Sequence, residues 1–274
     1  MALVYVNGSL VDEAEARIST FDHGLIVGDG AFETVLLFDG RPFALKRHLA
    51  RLDASLSGLK LARVDHARVN DAIDSVLEHL DYQQGRIRIT VTGGHGPLGS
   101  GRLPSEPSLV VATAPLTEVH ENAQVEVVPW PRNEHGALVG LKTISYAENA
   151  VALAYVNARD ADEAIFANIA GNLCEGSGSN VFVVIGDEVT TPPLAAGCLA
   201  GITRGLVLEH SIAREHDIPI DDFQPGRIDE AFLTSAIRGV QSITKINGHD
   251  VLIGPLTLKI KEDFETLRRE VREP

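Results

Sequence analysis

Residues 31–45 most constrain the fold, because the hydrophobic period changes from two to 3.6 within one short stretch. The runs 31–38 and 42–45 read as strands joined across Asp39-Gly40, a dipeptide that tolerates the positive φ of a two-residue hairpin. From Leu45 the apolar positions Leu49, Leu52, Leu56 and Leu59 keep helical spacing, and Val69, Ile73, Val76, Leu77 and Leu80 do so again. Further strands are expected at 3–6, 86–92 and 108–113, giving an α+β unit. The stretch PWPRNEHG (129–136) reads as an interdomain linker. It divides the chain into an N-terminal α+β domain over 1–128 and a C-terminal domain over 137–274. In the second domain a helix is expected just after Lys142, with Tyr146, Ala150, Leu153, Ala154 and Asn157 on one face. Short strands at 164–169, 180–185 and 231–234 and a helix from near Gly201 complete the reading.

Composition narrows the class of protein. A chain of 274 residues with 44 % hydrophobic residues can bury a real core. The net charge of −14 opposes binding to a phosphate backbone, which needs clustered Lys and Arg, so no nucleic-acid partner is expected. No apolar run approaches the roughly 20 residues of a membrane span, and the N-terminal residues do not resemble a leader. The reading is a cytoplasmic protein without a membrane partner. Cys174 and Cys198 lack any metal-ligand spacing and read as small buried apolar residues. Ten scattered histidines without HExxH give no support to a catalytic metal.

Three sites carry chemistry when taken together. Lysine is ordinarily a solvated surface residue, but GLKTISYAENA sets Lys142 after a small apolar run and before a helix, so its amine can turn inward as a nucleophile towards an aldehyde. Glu175, in CEGSGSN, is ordinarily a turn or capping residue. Its small neighbours also let a flat ring approach, and a carboxylate there can pair with a protonated pyridine nitrogen. The segment LAGITR (199–204) is a common style of helix start, and equally a phosphate seat made of backbone N–H groups, the Thr203 hydroxyl and the helix dipole. Leu199 would cover one ring face. An amine, a carboxylate and a phosphate seat are the holdings required by pyridoxal 5'-phosphate.

Other positions have two readings. Strand RIRITVT (86–92) alternates Arg86, Arg88, Thr90 and Thr92 with apolar residues, which suits either a wet sheet face or a carboxylate-binding face. Arg51 adjoins the Leu52 stripe and is either a solvated helix residue or a phosphate ligand. The glycine-rich segments TGGHGPLGSGR and VGDGAF lack the spacing of nucleotide-binding loops.

The sequence resembles the class IV pyridoxal-phosphate aminotransferases of fold type IV through FDHGLIVGDGAFETVLLFDGRPFALKRHLARL, GLKTISYAENA, CEGSGSNVF, LAGITR and EAFLTSAIRGVQSI. That group includes branched-chain and D-amino acid aminotransferases, (R)-amine transaminases and aminodeoxychorismate lyase. The resemblance implies a two-domain α+β fold, with a small N-terminal α/β sandwich and a larger cofactor-binding domain built on a mixed sheet. It implies Lys142 as Schiff-base lysine and proton carrier, and Glu175 on the pyridine nitrogen. Tyr146, Leu199, Arg51, Ile202, Thr203, Ser235 and Ala236 would surround the cofactor. Phe32 and Arg88 would line the substrate pocket, Arg86 is the other candidate for the substrate carboxylate on that strand face, and Arg238 is either a further anion contact for the substrate or merely exposed. The expected activity moves an amino group from an amino acid or (R)-amine donor to a 2-oxo acid acceptor in a homodimer. Ala236 and the basic residue at 88 also resemble the lyase, which releases pyruvate and 4-aminobenzoate and is the alternative. A cofactor-free binding protein is a third reading, opposed by the intact Lys142, Glu175 and GITR set.

Overall fold

The computed structural model describes residues 3–116 and 120–274; residues 1, 2 and 117–119, which the expected 1–128 domain includes, lie outside the described residues. The chain forms two compact units. One holds the residues up to 116 with Leu141–Tyr146 and Glu273; the other holds residues 120–140, Ala147–Arg272 and Pro274.

In the first unit, β1 (Leu3–Val6), β2 (Ser9–Asp12), β3 (Gly30–Phe38), β4 (Arg41–Pro42), β5 (Gly85–Thr92) and β6 (Leu109–Pro115) form one antiparallel sheet in the order β2-β1-β6-β5-β3-β4. Strand alternation sends Ile87, Ile89 and Val91 of β5 to one side, where they pack with the leucine stripe of α2 (Leu45–Gly58) and with Val69, Ile73 and Val76 of α3 (His66–Leu77). The short α1 (His23–Val27) precedes β3. Asp39 and Gly40 adopt φ of +49° and +70°, as the hairpin requires. The second arm is shorter than the expected 42–45: Pro42 brings no N–H to the ladder, and Ala44 turns at φ +54° into α2. No side chain of the local sequence caps α2. Instead the Glu273 carboxylate accepts the Leu45 and Lys46 N–H groups, both at 3.1 Å.

The expected helix start after Lys142 is corrected. Phe32 N–H donates to Lys142 O at 3.0 Å and Ile144 N–H to Gly30 O at 2.9 Å, so this segment runs extended beside β3. Ladder partners from a distant strand override the local helical pattern.

The second unit comprises β7 (Asn122–Val127), α4 (Ala147–Asn157), β8 (Glu163–Ala167), β9 (Leu173–Gly176), β10 (Asn180–Ile185), β11 (Glu188–Thr191), α5 (Ile202–His210), β12 (Arg214–Glu215), β13 (Glu230–Ser235), β14 (Gly239–Ile246), β15 (His249–Asp250) and α6 (Pro255–Glu270). Its nine-stranded sheet runs β12-β11-β10-β13-β14-β7-β8-β9, with β15 beside β14. The β11/β12, β14/β7 and β7/β8 pairs are parallel, so the sheet is mixed. One face buries Val181, Val183, Leu233, Ile243 and Phe223 in a common core. α4 buries Asn149, Ala152 and Val156, whereas Ala150, Leu153 and Ala154 of the expected face are exposed. Cys174 and Cys198 lie in the core under α4, where burial pushes both thiols up, Cys198 to about 12. Residues 129–136 fall inside this unit. Arg132 N–H donates to Ala167 O at 2.8 Å, and the Trp130 ring meets Tyr155 edge-on at 5.1 Å. Among the described residues no helix is long and apolar enough to cross a membrane.

Candidate active site

The first unit fixes Lys142 by its main chain. Its carbonyl accepts from Phe32, and its N–H donates to Ser55 Oγ of α2 at 3.0 Å. Lys142 Nζ lies 4.3 Å from the centre of the Phe32 ring and 5.9 Å from that of Tyr146, and the two rings meet edge-on at 5.4 Å. The Arg88 guanidinium carbon stands 3.4 Å from the same Phe32 ring centre, with Nε donating to Thr90 Oγ1 at 3.3 Å. Burial pulls the Arg88 pKa down from its ordinary value, against the attraction of Tyr146 and Glu33. Phe32, Arg88, Tyr146 and Lys142 are thus brought together. Arg86 shares the polar face of β5, and its buried Nε has no hydrogen-bond partner among the described residues.

The opposite face of β3 carries a group that motif reading missed. Glu33 is fully buried and accepts Arg51 Nε at 2.8 Å on one oxygen and Nη2 at 2.7 Å on the other, and His48 Nδ1 lies 2.7 Å from that second oxygen. Burial raises the Glu33 pKa, but the hydrogen bonds and charges of Arg51 and His48 outweigh it and hold the carboxyl at about 2. His48 is itself pushed down, by burial first, with Glu33 opposing. The signal was present. A glutamate in the largely apolar run GAFETVLLF needs a partner, and His48 and Arg51, three apart on one helix, supply it.

In the second unit, Glu175 of β9 is held at both oxygens. Leu199 N–H donates to one at 2.9 Å, and Arg132 Nε lies 3.5 Å from the other. Arg132 also donates to Glu148 and lies over the Phe166 ring at 4.1 Å, a position that its place in an expected linker gave no reason to suspect. Asn180 Nδ2 donates to Leu199 O at 2.8 Å, which sets the chain entering α5. Only glycine fits at 201, since a Cβ there would stand 2.0 Å from Asn180 Oδ1. Ile202 and the buried Thr203 then form the first turn of α5, whose N–H groups have no partners within the helix. Arg204 anchors that turn through Pro192 O at 2.8 Å and Glu215 at 2.5 Å.

At the end of β13, Ser235 Oγ accepts the Arg238 backbone N–H and Nε–H, each at 3.2 Å, and Ala236 follows half-buried. Arg238 Nη2 donates to the buried Glu163 at 2.5 Å. Glu163 also accepts Ser177 Oγ at 2.6 Å and Gly178 N–H at 2.7 Å from the turn after Glu175. The Ser179 and Thr234 hydroxyl oxygens are buried without a partner among the described residues.

The sequence model described as amino-transferase class IV matches residues 30–246. A Methanocaldococcus jannaschii protein provisionally named branched-chain-amino-acid aminotransferase is 31 % identical over 97 % of this chain and 96 % of its own. Aminodeoxychorismate lyase of Bacillus subtilis is 30 % identical over 89 % of this chain and 86 % of its own. Among solved structures, the branched-chain aminotransferase of Thermoproteus uzoniensis with norvaline is similar at a TM-score of 0.91 and 27 % identity, covering 100 % of this chain and 97 % of that one.

Proposed function

The chain belongs to the class IV aminotransferases, and on that premise we propose that it works with pyridoxal 5'-phosphate, passing an amino group from an amino acid or (R)-amine to a 2-oxo acid such as pyruvate or 2-oxoglutarate. The observation that carries this is the Lys142 amine, 4.3 Å from the Phe32 ring on a segment pinned to β3 and α2.

Each unit, taken by itself, carries residues that suit part of the group. Glu175, braced by Leu199 N–H and Arg132, is a carboxylate suited to a protonated pyridine nitrogen, and Leu199 is an apolar cover for the ring. Thr203, Ile202, Ser235, Ala236 and Arg51 are assigned to the phosphate, and the orphaned Thr234 and Ser179 hydroxyls are further polar groups without an acceptor. When bound, pyridoxal phosphate supplies a conjugated ring that takes up the electron pair left on the substrate carbon after proton loss.

The chain's own residues do the rest. Lys142 Nζ takes that proton and returns it, its amine confined by Phe32 and Tyr146. Glu175 is the group set to hold a proton on the ring nitrogen, its two oxygens positioned by Arg132 and the Leu199 N–H. Phe32 and Arg86 line the substrate's side, and Arg88 offers a planar fork to the acceptor's carboxylate. The name of the Methanocaldococcus relative and the norvaline in the Thermoproteus structure favour a donor with an apolar side chain. The reading includes a homodimer in the cytoplasm, which sedimentation of the purified protein and its fractionation with soluble cell content test.

An amino donor added without any oxo acid is expected to convert the cofactor from its aldehyde to its amine form, followed by the absorption spectrum. The Bacillus lyase relative and Ala236 favour one rival, a lyase. Release of pyruvate from aminodeoxychorismate with the aldehyde spectrum retained, and no donor giving the amine form, would establish that rival instead.

A further inference from the structure

The Ser235 hydroxyl is placed in an unusual position by its neighbour three residues on. A serine oxygen has two lone pairs and one proton. Both nitrogens that Arg238 brings to it, the backbone N and Nε, are donors at 3.2 Å, so the oxygen acts twice as acceptor. Its proton is thereby left to point away from Arg238, and among the described residues Ser235 donates to no acceptor. A hydroxyl polarised by a guanidinium on one side and holding its proton outward on the other is a donor aimed at an anion.

Arg238 can hold this orientation because it is itself held. Its Nη2 binds Glu163 at 2.5 Å, and the Glu163 side chain is only 4 % exposed. The second oxygen of Glu163 takes Ser177 Oγ at 2.6 Å and Gly178 N–H at 2.7 Å. One buried carboxylate therefore joins the turn that follows Glu175 to the turn that follows Ser235. Arg238, which the sequence reading assigned to the substrate, is engaged by protein groups at both Nε and Nη2.

We propose that Glu163 and Arg238 form a positioning pair that fixes the Ser235 hydroxyl as a hydrogen-bond donor to the phosphate of pyridoxal 5'-phosphate, so that Arg238 acts on cofactor affinity through Ser235. This rests on the reading above, in which Ser235 meets that phosphate.

The test compares pyridoxal phosphate with pyridoxal, which lacks the phosphate, by equilibrium dialysis against the full chain freed of cofactor. The ratio of the two affinities reports the phosphate contacts alone, independent of turnover. Ser235→Ala is expected to lower that ratio by about tenfold or more, as for a lost hydrogen bond to a charged group. Arg238→Lys keeps a charge for Glu163 but cannot present the Nε donor, and it is expected to lower the ratio by a similar factor with the melting temperature little changed. The double variant is expected to fall no further than Ser235→Ala alone. If Arg238→Lys does not fold, Glu163→Gln combined with Arg238→Met removes both charges together, and the same loss of ratio is expected. An unchanged ratio in the Arg238 variant, or a double variant that falls by the product of the two single effects, overturns the proposal while leaving Ser235 on the phosphate. An unchanged ratio in Ser235→Ala overturns the reading of Ser235 itself.

Discussion

Each unit buries a glutamate against an arginine, and the two arrangements differ in where the partners come from. Glu33 in the first unit is gripped by Arg51 and His48, both on α2, with the arginine fork bidentate on the carboxylate. Glu163 in the second is met by one arm of Arg238, a hydroxyl and a backbone N–H, which belong to two separate turns. The first clamp fastens a strand to a single helix. The second holds two loops in register. Partners on one rigid element make a strong tie that mainly stabilises, whereas partners on separate loops set the relative placement of the groups those loops carry.

Breaking the stronger clamp has the larger effect. Glu33→Ala leaves Arg51 and His48 without their buried counter-charge and is expected to cost about 3–5 kcal/mol by chemical denaturation. Glu163→Ala is expected to cost roughly half as much, because Arg238 is 20 % exposed and can turn to water where Arg51, at 12 %, has less room. Equal costs would erase the distinction between the two clamps.

Acid sharpens the same contrast. The Glu33 carboxyl is held at about 2 against an ordinary value of 4.5, so the folded state binds fewer protons than the unfolded chain across that interval. Its contribution is fully present above pH 4.5 and is lost as pH falls from 4.5 towards 2, on the order of 3 kcal/mol. His48, whose pKa lies below 6.5 in the fold, shifts the balance in the same direction below that pH. Denaturation curves taken across pH 2–5 should therefore show a steep loss of stability that Glu33→Gln flattens. A slope unchanged in that variant would place the acid-sensitive group elsewhere.

Much of the first unit was legible because its signals are local. Asp39-Gly40 marked the hairpin, alternation put Ile87, Ile89 and Val91 inside, and the leucine spacing gave α2. The second unit was less so. β7, β9 and β14 gave no isolated pattern, since β14 pairs in parallel with β7 about 120 residues away and only the assembled sheet defines it. Lys142 was singled out by its motif, yet its backbone is extended where helical spacing was expected, because β3 supplies hydrogen bonds that no local window contains. Glu175, Leu199 and Thr203 were named from their sequence neighbours. Arg132, which braces Glu175, and Glu163, which holds the turn after it, are polar residues in unremarkable stretches whose role exists only once distant segments meet.

The central claim is that Lys142 is the residue that joins the cofactor, and one measurement tests it directly. The holoprotein is reduced with borohydride, digested, and its peptides are mapped by mass. The account predicts a pyridoxyl group on Lys142 and loss of that label, with the fold retained by circular dichroism, in Lys142→Ala. Label on another lysine, or persistence of the same labelling in Lys142→Ala, would contradict it.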